Sequence, residues 1–246
     1  MRSSSTPLSG DTGLINPKAR ISSSERPTAR NLTEARVLSA EEMCALIAHT
    51  ITTYQPAITT ACLTGLRLQE LLGLRWGDVF LPSKSDESPP LIQVRHQLTR
   101  ATRDKPARLV PLKTKGSRRD IRISPELTKM LREHRLASSF SSDDDFVFTT
   151  STGAPLYYRN VSSRGLDKAA ARAGLNGNGR QKLSMHDLRH SAITHLIRAG
   201  ADVGQVARFA GHSRPSMTLD RYTHEFEARK GNDAGTLLGQ ALAGVI

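Results

Sequence analysis

The apolar residues of this chain change their period twice. From Ser39 to Leu74 they recur every three or four positions, between Leu91 and Ile123 they fall in short alternating runs, and beyond Tyr158 the wider spacing returns. The first spacing lines one face of a helix and the second one face of a strand. Helices, then a few short strands, then helices predict an α+β fold, mainly α, with a small antiparallel β-sheet. Ser39-Ala-Glu-Glu42 has the spacing of a capping box and starts the first helix. A second helix is expected from Ala57 to Thr64, ending at Gly65, and a third from Leu66 to Leu72. Strands are expected at Leu91–Val94, Arg108–Leu112 and Asp120–Ile123, the last two joined as a hairpin by the basic turn Lys113-Thr-Lys-Gly-Ser117. Ser124 and Pro125 open a helix to about Leu136. Phe146-Val-Phe148 reads as a short strand between loops, and helices follow at about 159–173, 186–199, 203–210 and 216–222.

The first 35 residues differ in kind, with seven serines, three prolines and no aromatic residue. They carry too little apolar surface to offset the entropy of ordering and are expected to be a flexible arm. Residues 36–230 read as one folded domain and 231–246 as a tail helix, apolar from Leu237 to Ile246. Lys and Arg number 35 against 23 Asp and Glu, a net charge of +12, which favours a polyanionic partner. Between Arg95 and Arg135 thirteen basic residues face only four acidic ones. No apolar run is long enough for a membrane helix and Met1 to Gly10 lacks the apolar core of a secretion signal, so a cytoplasmic protein without a membrane partner is expected. Cys44 and Cys62 are expected to be reduced, buried small hydrophobes that form neither a disulfide nor a zinc pair.

Four places could carry chemistry. In His186-Asp-Leu-Arg-His190 the offsets put His186, Arg189 and His190 on one helix face. The structural alternative packs His190 in the core and pairs Arg189 with a carboxylate; chelation of zinc by the two histidines is a third reading, without the Glu of HExxH or an evident third ligand. In Gly65-Leu-Arg67-Leu-Gln-Glu70 an arginine needs a partner. Either Glu70 simply pairs with it, or Glu70 holds it so that its free donors reach a phosphate. Gly211-His212 follows a helix, and Tyr222 comes ten residues later. A tyrosine can attack phosphorus once basic neighbours and a polarised phosphate assist it. Lys113 is either a solvated charge on a turn or a mobile proton donor, and Lys115, Arg118 and Arg119 read as contacts to backbone phosphates.

Taken together, Thr64-Gly-Leu-Arg67-Leu-Gln-Glu70 with the following Leu-Leu-Gly-Leu-Arg-Trp76-Gly-Asp78, Lys113 to Arg119, His186 to His190, Gly211-His212 and Arg221-Tyr222 resemble the catalytic domain of tyrosine recombinases, the phage integrase family, from about Val37 to Phe226. The resemblance implies a tyrosine-recombinase catalytic domain and a site-specific recombinase or integrase. It would cleave and rejoin double-stranded DNA through a 3′-phosphotyrosyl intermediate, without a cofactor or metal, as a homo-tetramer on DNA. It implies catalytic roles for Arg67 and Arg189 on the non-bridging oxygens, His212 as a donor to the same phosphate, His186 in removing the Tyr222 proton, and Lys113 in protonating the leaving 5′-oxygen. Glu70 and His190 would orient Arg67 and the helix. A DNA-binding module with an idle catalytic set and a strand-relaxing enzyme like type IB topoisomerases are the competing readings. Family members usually carry a helical core-binding domain ahead of the catalytic one, and the roughly 35 residues preceding the match are not expected to supply it.

Overall fold

A computed structural model describes residues 36–83, 86–177 and 179–228; the expected arm, the expected tail helix and the side chain of Lys115 lie outside the described residues. Helix α1 (Ala40–Ala48) begins at the capping box, with Ser39 Oγ accepting from Glu42 N and Glu42 Oε2 from Ser39 N, both at 3.1 Å. It turns Leu46 fully inward and half-buries Met43 and Ile47, which leaves Cys44 on the outer side. Cys44 is therefore exposed, contrary to expectation, whereas Cys62 is buried in α2 (Gln55–Thr64) and burial pushes its thiol up to about 12. Helix α2 ends at Gly65, whose φ of +58° belongs to the left-handed region that favours glycine. Helix α3 (Leu68–Leu72) starts later than the leucine spacing suggested, because Arg67 is extended and Glu70 Oε2 accepts its backbone N–H at 3.0 Å.

The strands pair differently from the expected hairpin. Strand β2 (Leu91–Val94) lies antiparallel between β1 (Val79–Phe80) and β5 (Arg119–Arg122), with Ile92 opposite both Val79 and Ile121. Strands β3 (His96–Leu98) and β4 (Leu109–Pro111) form a separate pair, Gln97 opposite Val110. Val94 pairs with Arg119 and His96 with Pro111, so residues 112–118 bulge out of one side of a long ribbon opposite Arg95 alone. The glycine-containing basic stretch is thus an outward loop within a strand, and the true hairpin loop is 99–108. Phe146–Phe148 forms no strand of its own: Arg75 bridges Phe146, and Val147 N donates to Leu74 O at 2.9 Å.

Helix α4 (Pro125–Ala137) is capped by Ser124 Oγ, which accepts from Leu127 N at 3.3 Å. The helix expected at 159–173 is broken into α5 (Tyr158–Asn160), a wide π-type stretch (Val161–Asp167) and α6 (Lys168–Arg172). Helices α7 (Met185–Arg198), α8 (Val203–Ala210) and α9 (Ser216–Ala228) follow. Helix α9 runs past its expected end, with a local break at Tyr222 (φ −123°, ψ 16°). Leu46, Ile58, Leu71, Trp76, Ile92, Leu127 and Leu188 belong to the main core, and Ile193, Ile197, Val206, Ala210 and Tyr222 to a second cluster under α9. No helix among the described residues is long and apolar enough to cross a membrane.

The end of α8 closes in a capping turn. His212 N donates to Ala207 O at 3.0 Å and Gly211 N to Arg208 O at 3.1 Å, the pair of bonds of a Schellman motif, with Gly211 left-handed at φ +64°. A Cβ on Gly211 would lie 2.7 Å from Arg119 Nη1. Gly211→Ala is expected to lose at least the roughly 1–2 kcal/mol that a left-handed L-residue costs, read as a lower urea midpoint; an unchanged midpoint would contradict this packing.

Candidate active site

Three arginines meet at this helix end. The last carbonyls of a helix have no partner within it, and here the two that the turn leaves free are taken by guanidiniums: Arg119 Nε donates to Phe209 O at 2.8 Å and Arg189 Nη2 to Ala210 O at 2.5 Å. Arg67 Nη2 reaches Gly211 O at 3.4 Å. Arg189 is fixed at its other nitrogen by Gly65 O, 2.7 Å from Nη1, so the left-handed glycines ending α2 and α8 place carbonyls on both sides of one guanidinium.

Glu70, 2 % exposed, is the carboxylate that holds this group together. It accepts from Arg67 Nη1 at 2.8 Å and from Arg119 Nη1 and Nη2 at 3.2 and 2.8 Å. Burial alone would raise the Glu70 carboxyl, but the hydrogen bonds and charge of Arg119 and then the charge of Arg67 outweigh it and hold the group below the usual carboxylate range. Arg119 corrects the sequence reading. It is 7 % exposed and gives four of its five donors to Glu70, Phe209 O and Ser117 O, so it is first of all a buried tie between β5, α3 and α8 and not a surface contact to DNA phosphates. Arg67 keeps a partly open side chain, 39 % exposed, while Glu70 orients it.

The imidazoles sit around these cations. His212 Nε2 lies 3.4 Å from Arg189 Nη2, and its Nδ1 lies 2.8 Å from Thr218 Oγ1 on α9. One turn along α9 from Thr218, the Tyr222 hydroxyl lies 2.7 Å from His190 Nδ1, and Tyr222 is 3 % exposed. The imidazole on the phenol is thus His190 and not His186. Both are on one face of α7, but α9 crosses at the C-terminal end of that face, over Ile193 and Ile197, and His190 lies nearer to it. Burial first pushes the Tyr222 phenol up to about 12, against the lowering effect of Arg189 and Arg221, so at neutral pH it carries its proton. Helix α9 is clamped to α7 by a two-bond ion pair, Arg198 Nε and Nη2 on Glu225 at 2.9 Å each.

His186 is exposed and faces Arg221, whose Nη1 lies 3.3 Å from His186 Nε2 and 3.4 Å from His190 Nε2. Arg221 Nη1 therefore lies within hydrogen-bond reach of both ring nitrogens. Lys113 lies exposed in the outward loop. That loop is seated on the His212 segment through Gly116, where a Cβ would come within 3.1 Å of Ser213 Cα. Beside His212 an open cavity of about 430 Å³ is lined by Arg118 and by Arg208 of α8, a residue the sequence reading did not single out. A surface-facing arginine on an amphipathic helix carried no signal of its own.

The match of the phage integrase family to residues 36–229 covers all of this machinery. The chain belongs to the phage integrase family. Among its relatives in that family, the tyrosine recombinase XerC-like protein of Caldanaerobacter subterraneus subsp. tengcongensis is 31 % identical over 193 residues, covering 71 % of this chain and 46 % of the relative. Tyrosine recombinase XerD of Brucella suis is 34 % identical over 174 residues, covering 70 % and 48 %. The chain thus spans about half the length of the curated relatives it matches. By fold it is similar to the Tn1549 transposon integrase in complex with transposon right end DNA, with a TM-score of 0.67 at 20 % identity over 85 % of this chain and 67 % of that one. It also resembles XerA recombinase, with a TM-score of 0.58 at 22 % identity over 88 % and 66 %.

Two outcomes follow for this integrase-family site. Glu70→Gln leaves the buried Arg119 without its counter-charge and is expected to cost about 3–5 kcal/mol, measured by urea unfolding; a loss below 1 kcal/mol would mean that the carbonyls of α8 hold the cations unaided. His190 and His212 are both pushed down to about 4, each first by burial, His190 then by His186 and Arg221 and His212 by Arg189 and Arg67. Below the ordinary 6.5 the unfolded chain binds protons that the fold does not, so this contribution to stability is complete above about 6.5 and is lost as pH falls toward 4. Tm is expected to fall between pH 7 and pH 4.5, and His190→Gln combined with His212→Gln to flatten that slope.

Proposed function

We propose that this chain is the catalytic part of a site-specific DNA recombinase or integrase. What carries the reading is the meeting of Arg67, Arg189 and His212 at the end of α8, with Tyr222 hydrogen-bonded to the same helix that bears Arg189. Arg189, with carbonyls but no carboxylate in salt-bridge reach among the described residues, is a cation with charge left over for a phosphate oxygen. Arg67 supplies a second, on its open side. Preorganised cations of this kind are worth most where negative charge develops in the transition state.

In the proposed reaction Tyr222 Oη attacks the scissile phosphorus and the bond to the 5′-oxygen breaks, leaving a 3′-phosphotyrosyl link and a 5′-hydroxyl. The phenol proton passes to His186, the unprotonated imidazole at the exposed edge, and Lys113 supplies the proton to the leaving oxygen. The 5′-hydroxyl of a partner strand then reverses the step, so the number of phosphodiester bonds is unchanged and no nucleotide cofactor is consumed. His212 donates to the phosphate once the anion draws Arg189 toward itself. Lys115 and Arg118 contact backbone phosphates outside the reacting one, and the active assembly is a homo-tetramer on double-stranded DNA in the cytoplasm.

The test is a trapping assay with a pool of nicked duplexes randomised around the nick, from which the short fragment bearing the new 5′-hydroxyl escapes. A denaturation-resistant protein–DNA adduct is expected, absent in Tyr222→Phe. No adduct with the unaltered protein, or one that persists in the phenylalanine variant, rejects the proposal. Transfer of label between two duplexes separates recombination from relaxation by the same chemistry.

A further inference from the structure

We infer that Arg221 is a positioning residue that fixes the proton of His190 on Nδ1, making His190 a hydrogen-bond donor to the Tyr222 oxygen and not its general base. The inference rests on the proposed role of Tyr222 and goes beyond it, since it concerns which nitrogen carries a proton. A guanidinium has five donors and no acceptor. Arg221 Nη1 lies 3.4 Å from His190 Nε2 and 3.3 Å from His186 Nε2, so both Nε2 atoms present lone pairs to it. A proton on His190 Nε2, in the neutral ring or the imidazolium, would set donor against donor beside a fixed positive charge. A flipped ring would put carbon against the phenol and lose the 2.7 Å contact. The remaining arrangement has the proton on Nδ1, aimed at Tyr222 Oη.

The groups facing His190 agree with a neutral ring. His186, Asp187 and Arg189 come from α7, and Arg221 and Tyr222 from α9; the two arginines outnumber the one carboxylate. The two imidazoles meet edge to face, with centroids 4.5 Å apart, so one guanidinium can serve both Nε2 atoms. The consequence is catalytic. A neutral N–H donating to a phenol makes an ordinary hydrogen bond, but as the oxygen acquires charge, before attack or on release during rejoining, the bond becomes charge-assisted and strengthens. The phenol proton is then not taken up by His190.

The test uses the full chain with ¹⁵N-labelled histidine. Long-range ¹H–¹⁵N correlations report the protonated nitrogen of each ring, and His190→Gln identifies the His190 signals. At pH 7 the proton of His190 is expected on Nδ1, moving to Nε2 in Arg221→Leu, because free imidazole side chains favour that nitrogen. Single-turnover adduct formation at saturating DNA is expected to slow about 100-fold in Arg221→Leu, the scale of losing one oriented donor, and to recover in part in Arg221→Lys, which restores a donor. Arg221 is exposed, so these variants leave the core untouched. A proton on Nε2 in the unaltered protein, a tautomer unchanged in Arg221→Leu, or cleavage at the full rate in that variant overturns the inference. If the unaltered protein forms no adduct, the proposed function fails while the tautomer is still decided by the spectra.

Discussion

The C-terminal end of α8 is the anchor of the site. A helix end presents unpaired carbonyls and the negative pole of its dipole, worth typically 0.3–1 kcal/mol and up to about 2 to a nearby cation. Here it collects Arg119 on Phe209, Arg189 on Ala210 and Arg67 on Gly211. Three guanidiniums in so small a space repel one another more strongly than the dipole attracts them, since unit charges about 4 Å apart interact by roughly 4 kcal/mol at an effective dielectric of 20. Glu70 supplies the missing attraction for two of them. Among the described residues Arg189 has two carbonyls and the His212 ring as partners and no carboxylate in salt-bridge reach, and burial first and then Arg67 push it down to about 9, still a cation at neutral pH. The least compensated charge of the cluster is therefore the one best placed to welcome a phosphate.

The same scaffold sets the position of the nucleophile. Thr218, Tyr222 and Glu225 form one inward stripe of α9, held at two elements: Thr218 by His212 just beyond α8, and Tyr222 and Glu225 by His190 and Arg198 of α7. The phenol packs with Ile193, Ile197, Val206 and Ala210, so its place depends on apolar packing as well as on one hydrogen bond. The local break at Tyr222 lets α9 turn its hydroxyl toward α7 while Glu225 still meets its arginine. Ring, phenol and guanidinium thereby form a chain that couples the helix carrying Arg189 to the helix carrying the tyrosine. The outward loop of the ribbon approaches from the opposite strand, its Gly116 against the backbone after His212, which brings the basic residues of that loop beside the anion-binding groups.

Much of this was legible from residue order alone. Ser39 and Ser124 marked helix starts, Gly65 and Gly211 marked helix ends, and Glu70 was recognisable as the partner of Arg67, because capping, left-handed turns and an i, i+3 pair are local and depend on a few neighbouring residues. Arg67, Lys113, His186, Arg189, His212 and Tyr222 were singled out as candidates on different grounds, as separated motifs whose order resembles a family's. The misreadings were non-local. Lys113 to Ser117 looked like a hairpin turn, since a basic glycine loop between two strands has the same composition whether the strands pair with each other or with different partners.

What residue order determined about this protein is its helices, its cationic and imidazole inventory and the family to which it belongs. What only the tertiary structure decided is which partner each of those groups takes: Arg119 with Glu70 and not with solvent, His190 and not His186 on Tyr222, Arg221 between two imidazoles. The physical reason is that a guanidinium or an imidazole can satisfy itself in many ways, and the choice among them is made by burial and by which backbone carbonyls the fold leaves unpaired.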